Sequence, residues 1–324
     1  MRYRTLAAGT PGGGIEVSTL CLGILPFGTL VDEDTSFAIL DRFAEAGGTF
    51  VDTADNYSVW APGGTGDESE LLLGRWLRAR GARDRTVVAT KVGARPPAGS
   101  TAVWPDAYEG LAAKTIRAGI EGSLRRLGTD RVDLYYAHIE DRDVPMAETV
   151  EAFAEVVRGG AARLLGASNH AAWSVAAARQ YAADRALPGY TCVEQRHTYL
   201  WPAPGGEWGA RDYAHADLLD LVAAHDDMTL MAYGPLVHGA YTRADKPLPA
   251  PYDHPASHRR LAVLREVAAE AGATPHQVVL AWQMGGTPSV VPVVGVSSVA
   301  QLDEVLGAVA LDLDPELRAR LDAA

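Results

Sequence analysis

The chain has 324 residues, of which 48% are hydrophobic and 22% charged, with a formal net charge of −12 and a pI near 5.2. This balance is ordinary for a globular protein. It argues against a nucleic-acid partner, because phosphate binding needs clustered Lys and Arg, yet it leaves room for one local basic pocket. The two cysteines, Cys21 and Cys192, lie in apolar strand-like runs and read as reduced, buried thiols of a cytoplasmic protein. The N-terminus lacks the apolar core of a signal peptide, and no run reaches the roughly 18 apolar residues of a membrane span, so neither is expected.

Residues 1–18 are polar and punctuated by Pro11-Gly12-Gly13-Gly14, which predicts an N-terminal hairpin. A brief apolar strand follows at 20–23. Phe37, Leu40, Phe43 and Ala44 then recur with helical period over 34–45, and Gly47-Gly48 supplies a C-terminal stop. From there strands are predicted at 49–52, 86–90, 132–136, 162–166, 190–194, 229–233 and 290–294. Helices are predicted near 67–80, 109–127, 146–158, 171–183, 214–225, 258–272, 274–284, 298–308 and 314–323. Two loops stand out, a Trp/Pro/Gly-rich one at 201–210 and a Pro-rich one at 243–257. Thr274-Pro275 reads as an N-cap with proline at the first helical position.

Counted from residue 20, the chain makes eight strand–helix alternations with no linker between them, which predicts one domain over 1–324. Alternating units of this kind imply a parallel sheet, and eight in one run fit an α/β (β/α)8 TIM barrel with an N-terminal hairpin and extra C-terminal helices. The competing open sheet would announce itself with Gly-x-Gly-x-x-Gly after the first strand. Gly23-Ile24-Leu25-Pro26-Phe27-Gly28 lacks that spacing.

In a barrel, chemistry gathers at the C-terminal strand ends. Asp52, Lys91 and His138 end three successive strands, and Tyr57 lies five residues beyond Asp52. A free tyrosine is a poor acid at neutral pH. A lysine beside it stabilises the phenolate, an aspartate keeps the lysine charged and aimed, and a histidine can hydrogen-bond a substrate oxygen. Such a set suits protonation of a carbonyl oxygen. Each residue also has an ordinary alternative: Asp52 as a turn cap, Lys91 as an exposed strand-end cation, Tyr57 as a rim aromatic, His138 as a satisfied core histidine. A Schiff-base role for Lys91 in an aldolase is a further alternative. No metal-ligand set is assigned.

The run Gly47-Gly48-Thr49-Phe50-Val51-Asp52-Thr53-Ala54-Asp55-Asn56-Tyr57 is followed by Gly66-Asp67-Glu68-Ser69-Glu70, Ala89-Thr90-Lys91-Val92, Asp133-Leu134-Tyr135-Tyr136-Ala137-His138 and Leu165-Gly166-Ala167-Ser168-Asn169. In this order the motifs resemble the aldo-keto reductase family. The resemblance implies a (β/α)8 barrel, a small-molecule carbonyl substrate such as a sugar or secondary metabolite, and NADP(H), with NAD(H) second. It implies a tetrad at Asp52, Tyr57, Lys91 and His138, with Tyr57 as general acid in reduction.

The same resemblance places Ser168, Asn169 and Gln195 on the nicotinamide carboxamide and Tyr233 on its ring face. It puts the loop through Gly234, Pro235, Leu236 and Gly239 on the pyrophosphate, and Gly295, Ser297 and Gln301 at the adenosine end. Gly23, Ile24 and Asp52 complete the expected cofactor site. No Lys or Arg occurs between 266 and 317, where the family often carries a cation for the 2′-phosphate. For substrate, Trp60, Trp104, Trp201, Trp208 and Tyr199 are candidates to line an apolar cleft, while Glu140 and Asp141 read as solvated. A non-catalytic, cofactor-binding regulatory subunit like the potassium-channel β subunits is the alternative function.

Overall fold

The computed structural model describes every residue except 11, 12, 98, 101, 103, 104, 204–212, 244 and 289. Part of the Pro11–Gly14 turn, most of the 201–210 loop, Trp104 and Trp208 therefore lie outside the described residues. Strands β1 (Tyr3–Leu6) and β2 (Ile15–Ser18) pair antiparallel as the predicted hairpin. The chain then alternates β3 (Cys21–Gly23), α1 (Glu33–Glu45), β4 (Phe50–Asp52), α2 (Glu68–Arg80), β5 (Val87–Val92), α3 (Ala113–Leu127), β6 (Val132–Ala137), α4 (Met146–Arg158) and β7 (Ala162–Ser168). It continues through α5 (Ala172–Asp184), β8 (Tyr190–Arg196), α6 (Ala216–Ala223), β9 (Thr229–Tyr233), α7 (Pro255–Glu270), α8 (Pro275–Met284), β10 (Val290–Val294), α9 (Val299–Leu306) and α10 (Pro315–Ala323). Strands β3 to β10 close into a parallel barrel in chain order, with β10 beside β3.

Side-chain parity sorts each barrel strand into two layers. Cys21, Phe50, Ala89, Leu134, Tyr136, Leu164, Cys192, Met231, Val291 and Val293 point inward and pack with Leu6, Ile15 and Val17 of the hairpin. The hairpin thus closes the barrel floor. Ser18 ties it down: its hydroxyl accepts from the backbone N–H of Thr49 and Phe50, at the start of β4. Val51, Val88, Tyr135, Leu165, Val193 and Leu230 point outward and pack with the helices. Both cysteines are free and buried. Among the described residues no helix is long and apolar enough to cross a membrane.

The predicted boundaries shift where loop hydrogen bonds override helical pattern. Helix α3 starts at Ala113 rather than 109, because Glu109 and Gly110 donate their N–H groups back to Arg95 and Gly93. Helix α6 is shorter than predicted because Tyr213 bridges to Arg196 and Ala214 N donates to Arg196 O. The 243–257 loop is partly structured: a 3-10 turn spans Ala250–Tyr252, and α7 starts at Pro255, a favourable first helical residue. At α8 the expected cap is present, with Thr274 and Gln277 forming a reciprocal capping box. Helices α7 and α10 lie outside the eight barrel units; Arg320 of α10 pairs with Glu270 of α7 at 2.6 Å.

Candidate active site

Inward parity carries Asp52, Lys91 and Tyr136 into the barrel from β4, β5 and β6, and His138 lies just past β6. Lys91 is fully buried. Its Nζ donates to Asp52 Oδ1 at 2.6 Å and Oδ2 at 2.5 Å, to Thr53 O at 3.1 Å, and to Tyr57 Oη at 2.7 Å. Tyr57 in turn donates to Asp52 Oδ2 at 2.8 Å. The Tyr57 and His138 rings meet edge-on with centroids 6.0 Å apart. All four predicted residues thus converge, and full burial removes the alternative of Lys91 as a solvated cation. The loop that lifts Tyr57 over the strand ends is fastened at several points. Asp55 N donates to Lys91 O at 3.2 Å, Ser58 Oγ to Leu25 O at 2.6 Å, and Thr53 and Ser69 hydroxyls bond at 2.7 Å.

Burial works against the Lys91 ammonium, but Asp52 and Glu194 outweigh it and hold its pKa above the ordinary lysine value. Tyr57 moves in the direction opposite to the sequence expectation. Burial, followed by the negative charges of Asp52 and Glu194, pushes its pKa well above that of a free phenol. The resting phenol therefore keeps its proton and donates a hydrogen bond to Asp52, while Lys91 donates one to its oxygen. His138 is pushed well below the usual imidazole range by burial and by Lys91, so the ring is neutral near pH 7. Its Nδ1 has no hydrogen-bond partner among the described residues.

Beside this cluster, Ser168 ends β7 on the inner face. Asn169 follows in the left-handed region with φ 58°, a conformation asparagine tolerates. Its amide donates to His138 O at 3.0 Å and Ser168 Oγ at 3.1 Å, and its Oδ1 accepts from Tyr233 Oη at 2.7 Å. Ala171, not Ser168 or Asn169, caps α5, so neither residue is spent on helix capping. Gly23 and Gly295 face each other across β3 and β10; a Cβ on Gly23 would lie 2.9 Å from Val293, and one on Gly295 would come within 3.8 Å of Gly23 O.

Other predicted residues fall elsewhere. Ile24 packs its side chain outward with the helices, its N–H donates to Asp52 O and its carbonyl accepts from Ser69. Gln195 lies at the C-terminal end of β8, buried. It pairs in register with Ala232, whose side chain belongs to the outer layer, and follows the parity of outward Val193. The inward positions of β8 are Glu194 and Arg196, which the sequence reading missed. Glu194 lies in register with Ser168 and its Oε1 is 3.5 Å from Lys91 Nζ. The Arg196 guanidinium lies 5.1 Å from the Tyr233 ring centroid. Counting alternate residues from Cys192 reaches both once Cys192 is known to face inward.

In the loop after β9, Val237 N donates to Gly234 O and Gly239 N to Leu236 O, so these two amides are committed within the loop. Pro235 O accepts from Tyr241, and Leu236 packs on the helical layer. At the start of α9, Gln301 Oε1 accepts from both Ser297 N and Ser297 Oγ, at 2.8 and 3.1 Å. Arg42 reaches α9 but is paired there with Asp303 at 2.8 Å.

The substrate candidates also divide. Trp60 and Trp201 are 56% and 38% exposed, whereas Tyr199 is fully buried under α10 and donates to Leu321 O. Asp141 is not merely solvated: it accepts from Leu111 N at 2.8 Å and so shapes the loop after β5. The Glu140 side chain is largely buried and pairs with Arg142 at 3.0 Å.

Fold and site together define a barrel enzyme with a buried ammonium, a protonated phenol and a neutral imidazole gathered at its C-terminal rim. Residues 19–324 match the model of the aldo/keto reductase family. The chain is 32% identical to norsolorinic acid reductase stcV of Emericella nidulans over 323 residues, covering 95% of this chain and 78% of that one. It is 32% identical to the uncharacterized oxidoreductase YrpG of Bacillus subtilis over 317 residues, covering 94% and 91%. It is 27% identical to an aryl-alcohol dehydrogenase of Pestalotiopsis microspora over 328 residues, covering 97% and 80%. The chain therefore belongs to the aldo/keto reductase family and is an oxidoreductase.

Proposed function

We propose that the protein reduces an aldehyde or ketone with NADPH, with Tyr57 as the general acid. The observation that carries this reading is the three-way contact of Lys91 with Asp52 and Tyr57. A bound reduced nicotinamide supplies hydride to the carbonyl carbon. The chain's part is to hold the carbonyl oxygen and give it a proton. Neutral His138 donates a hydrogen bond to that oxygen, Tyr57 transfers its phenolic proton to it, and Lys91 stabilises the phenolate that remains. Asp52 fixes Lys91 and keeps it charged. In the oxidative direction the Tyr57 phenolate takes the proton back.

The residues present fit a nicotinamide. Ser168 offers a hydroxyl and Asn169 the second lone pair of its Oδ1 for a carboxamide, Tyr233 offers a ring face, and Gly23 and Gly295 keep the rim free of side chains. Arg196 is a cation beside Gly234, within reach of a phosphate group. NADP(H) is the proposed cofactor and NAD(H) the second choice, with Ser297 and Gln301 at the adenosine end. A relative named as an aryl-alcohol dehydrogenase adds aryl carbonyls to the expected sugar and secondary-metabolite classes. Two buried free thiols fit a cytoplasmic protein, and 1–324 is read as one domain. The intact proton-transfer cluster favours turnover over a purely regulatory role. The test is NADPH oxidation across a panel of reactive aldehydes that includes 4-nitrobenzaldehyde. Turnover is expected; NADPH binding without any turnover refutes the reductase reading.

A further inference from the structure

Lys91 sits between two carboxyl groups, and only Asp52 belongs to the proton-transfer set described above. Glu194 reaches Lys91 from the far wall of the barrel, with Oε1 3.5 Å from Nζ. Its side chain is 4% exposed, and its Oε2 has no hydrogen-bond partner among the described residues. A buried carboxylate normally gathers several hydrogen bonds or gives up its charge. With Asp52 already holding the ammonium through two short bonds, an ionised Glu194 would leave two anions sharing one cation.

We propose that Glu194 is a positioning residue for the Tyr57 proton: neutral, it leaves Lys91 committed to Asp52 and Tyr57; ionised, it draws the ammonium's charge away and makes the Tyr57 phenolate costlier to form. This rests on the reading of Tyr57 as the proton donor. Glu194 carries its effect through Lys91 and touches neither substrate nor the reacting atoms.

The groups that face this cluster can be named strand by strand. Cys21 comes from β3, Asp52 and Tyr57 from β4 and its loop, and Lys91 from β5. Tyr136 and His138 come from β6, Cys192 and Arg196 from β8 itself, and Tyr233 from β9. The inward residues nearest from β7 and β10, Gly166, Ser168 and Val293, do not titrate. Burial holds the thiols of Cys21 and Cys192 and the phenol of Tyr136 well above their ordinary values, and His138 is pushed well below its own. These four stay neutral near pH 7. Burial and Asp52 together push the Glu194 carboxyl up to about 8, which makes it the member of the set that changes charge just above neutrality.

Glu194→Gln keeps the shape and the acceptor but removes the charge. Aldehyde reduction is measured for parent and variant from pH 6 to 10 with saturating NADPH. The ratio of variant kcat to parent kcat is expected to rise by about tenfold between pH 6.5 and 9.5, the effect of about one pH unit in Tyr57 acidity. A ratio constant in pH, whatever its size, means a structural role and overturns the proposal. Carbon-13 NMR of glutamate-labelled protein gives a readout independent of turnover. The carboxyl signal missing from Glu194→Gln, or displaced in Glu194→Asp if the first variant does not fold, is expected to titrate near 8 in the parent. A midpoint near the ordinary 4.5 overturns the proposal. If Tyr57→Phe retains turnover, the general-acid reading fails and this proposal with it, whereas a normal Glu194 midpoint sinks the proposal alone.

Discussion

Tyr57 Oη lies 2.7 Å from Lys91 Nζ, with the ammonium donating to the phenol oxygen while the phenol donates to Asp52. The proton that would reach a substrate therefore stays on the phenol and points at the Asp52 carboxylate in the resting protein. Substrate binding would redirect it, and Lys91 is already in place to receive the negative charge left behind.

The ion pair within this relationship has a stability consequence. Replacing Lys91 by Met leaves Asp52, which is 1% exposed, without its cation. Breaking a buried pair from one side costs on the order of 3–5 kcal/mol. Urea denaturation of Lys91→Met is expected to show a loss of that size, and Asp52→Asn/Lys91→Met a smaller loss than the sum of the two single changes. Additive losses would mean the two residues do not act as a pair.

Acid sensitivity follows from His197. Burial pushes its pKa down to about 4 from the ordinary 6.5, and the ring stacks on Trp282 at 5.7 Å. The unfolded chain binds the proton first as pH falls, so this stability is fully present above 6.5 and is lost progressively down to about 4. The loss amounts to about 3 kcal/mol over that window. His197→Phe keeps the stack without the proton site, and its unfolding free energy is expected to vary less between pH 6.5 and 4 than the parent's. Identical slopes would refute the assignment.

The adenosine end predicts a cofactor response. Ser297 currently hydrogen-bonds Gln301, and the nearby Arg42 is taken by Asp303. Ser297→Arg would add a guanidinium where a 2′-phosphate is expected. The ratio of kcat/KM for NADPH over NADH should rise by about tenfold, the order of one added charge-assisted hydrogen bond. An unchanged ratio places the adenosine elsewhere.

Much of this architecture is legible in the chain. Asp52, Lys91 and His138 stand at or just past strand ends, and a barrel brings strand ends together whatever the loop details. Glu194 and Arg196 escape a reading of the sequence because β8 is buried on both faces. A parallel strand of that kind shows no apolar–polar alternation to mark which side is in, so Glu194, Gln195 and Arg196 look equivalent until the register is known. The floor-closing role of the hairpin and the anchoring of Asp141 to Leu111 depend on contacts between residues far apart in sequence. The rise in Tyr57 pKa depends on Glu194, which lies 137 positions away in the numbering, and no local motif announces it.

The central claim is that Tyr57 gives the proton, and Tyr57→Phe tests it most directly. The variant removes one oxygen and leaves the ring beside His138. NADPH affinity, measured by fluorescence titration, is expected to stay within about twofold of the parent, while kcat for aldehyde reduction falls by roughly 10²–10⁴, the usual worth of a positioned general acid. Parent-like turnover in Tyr57→Phe would contradict the account.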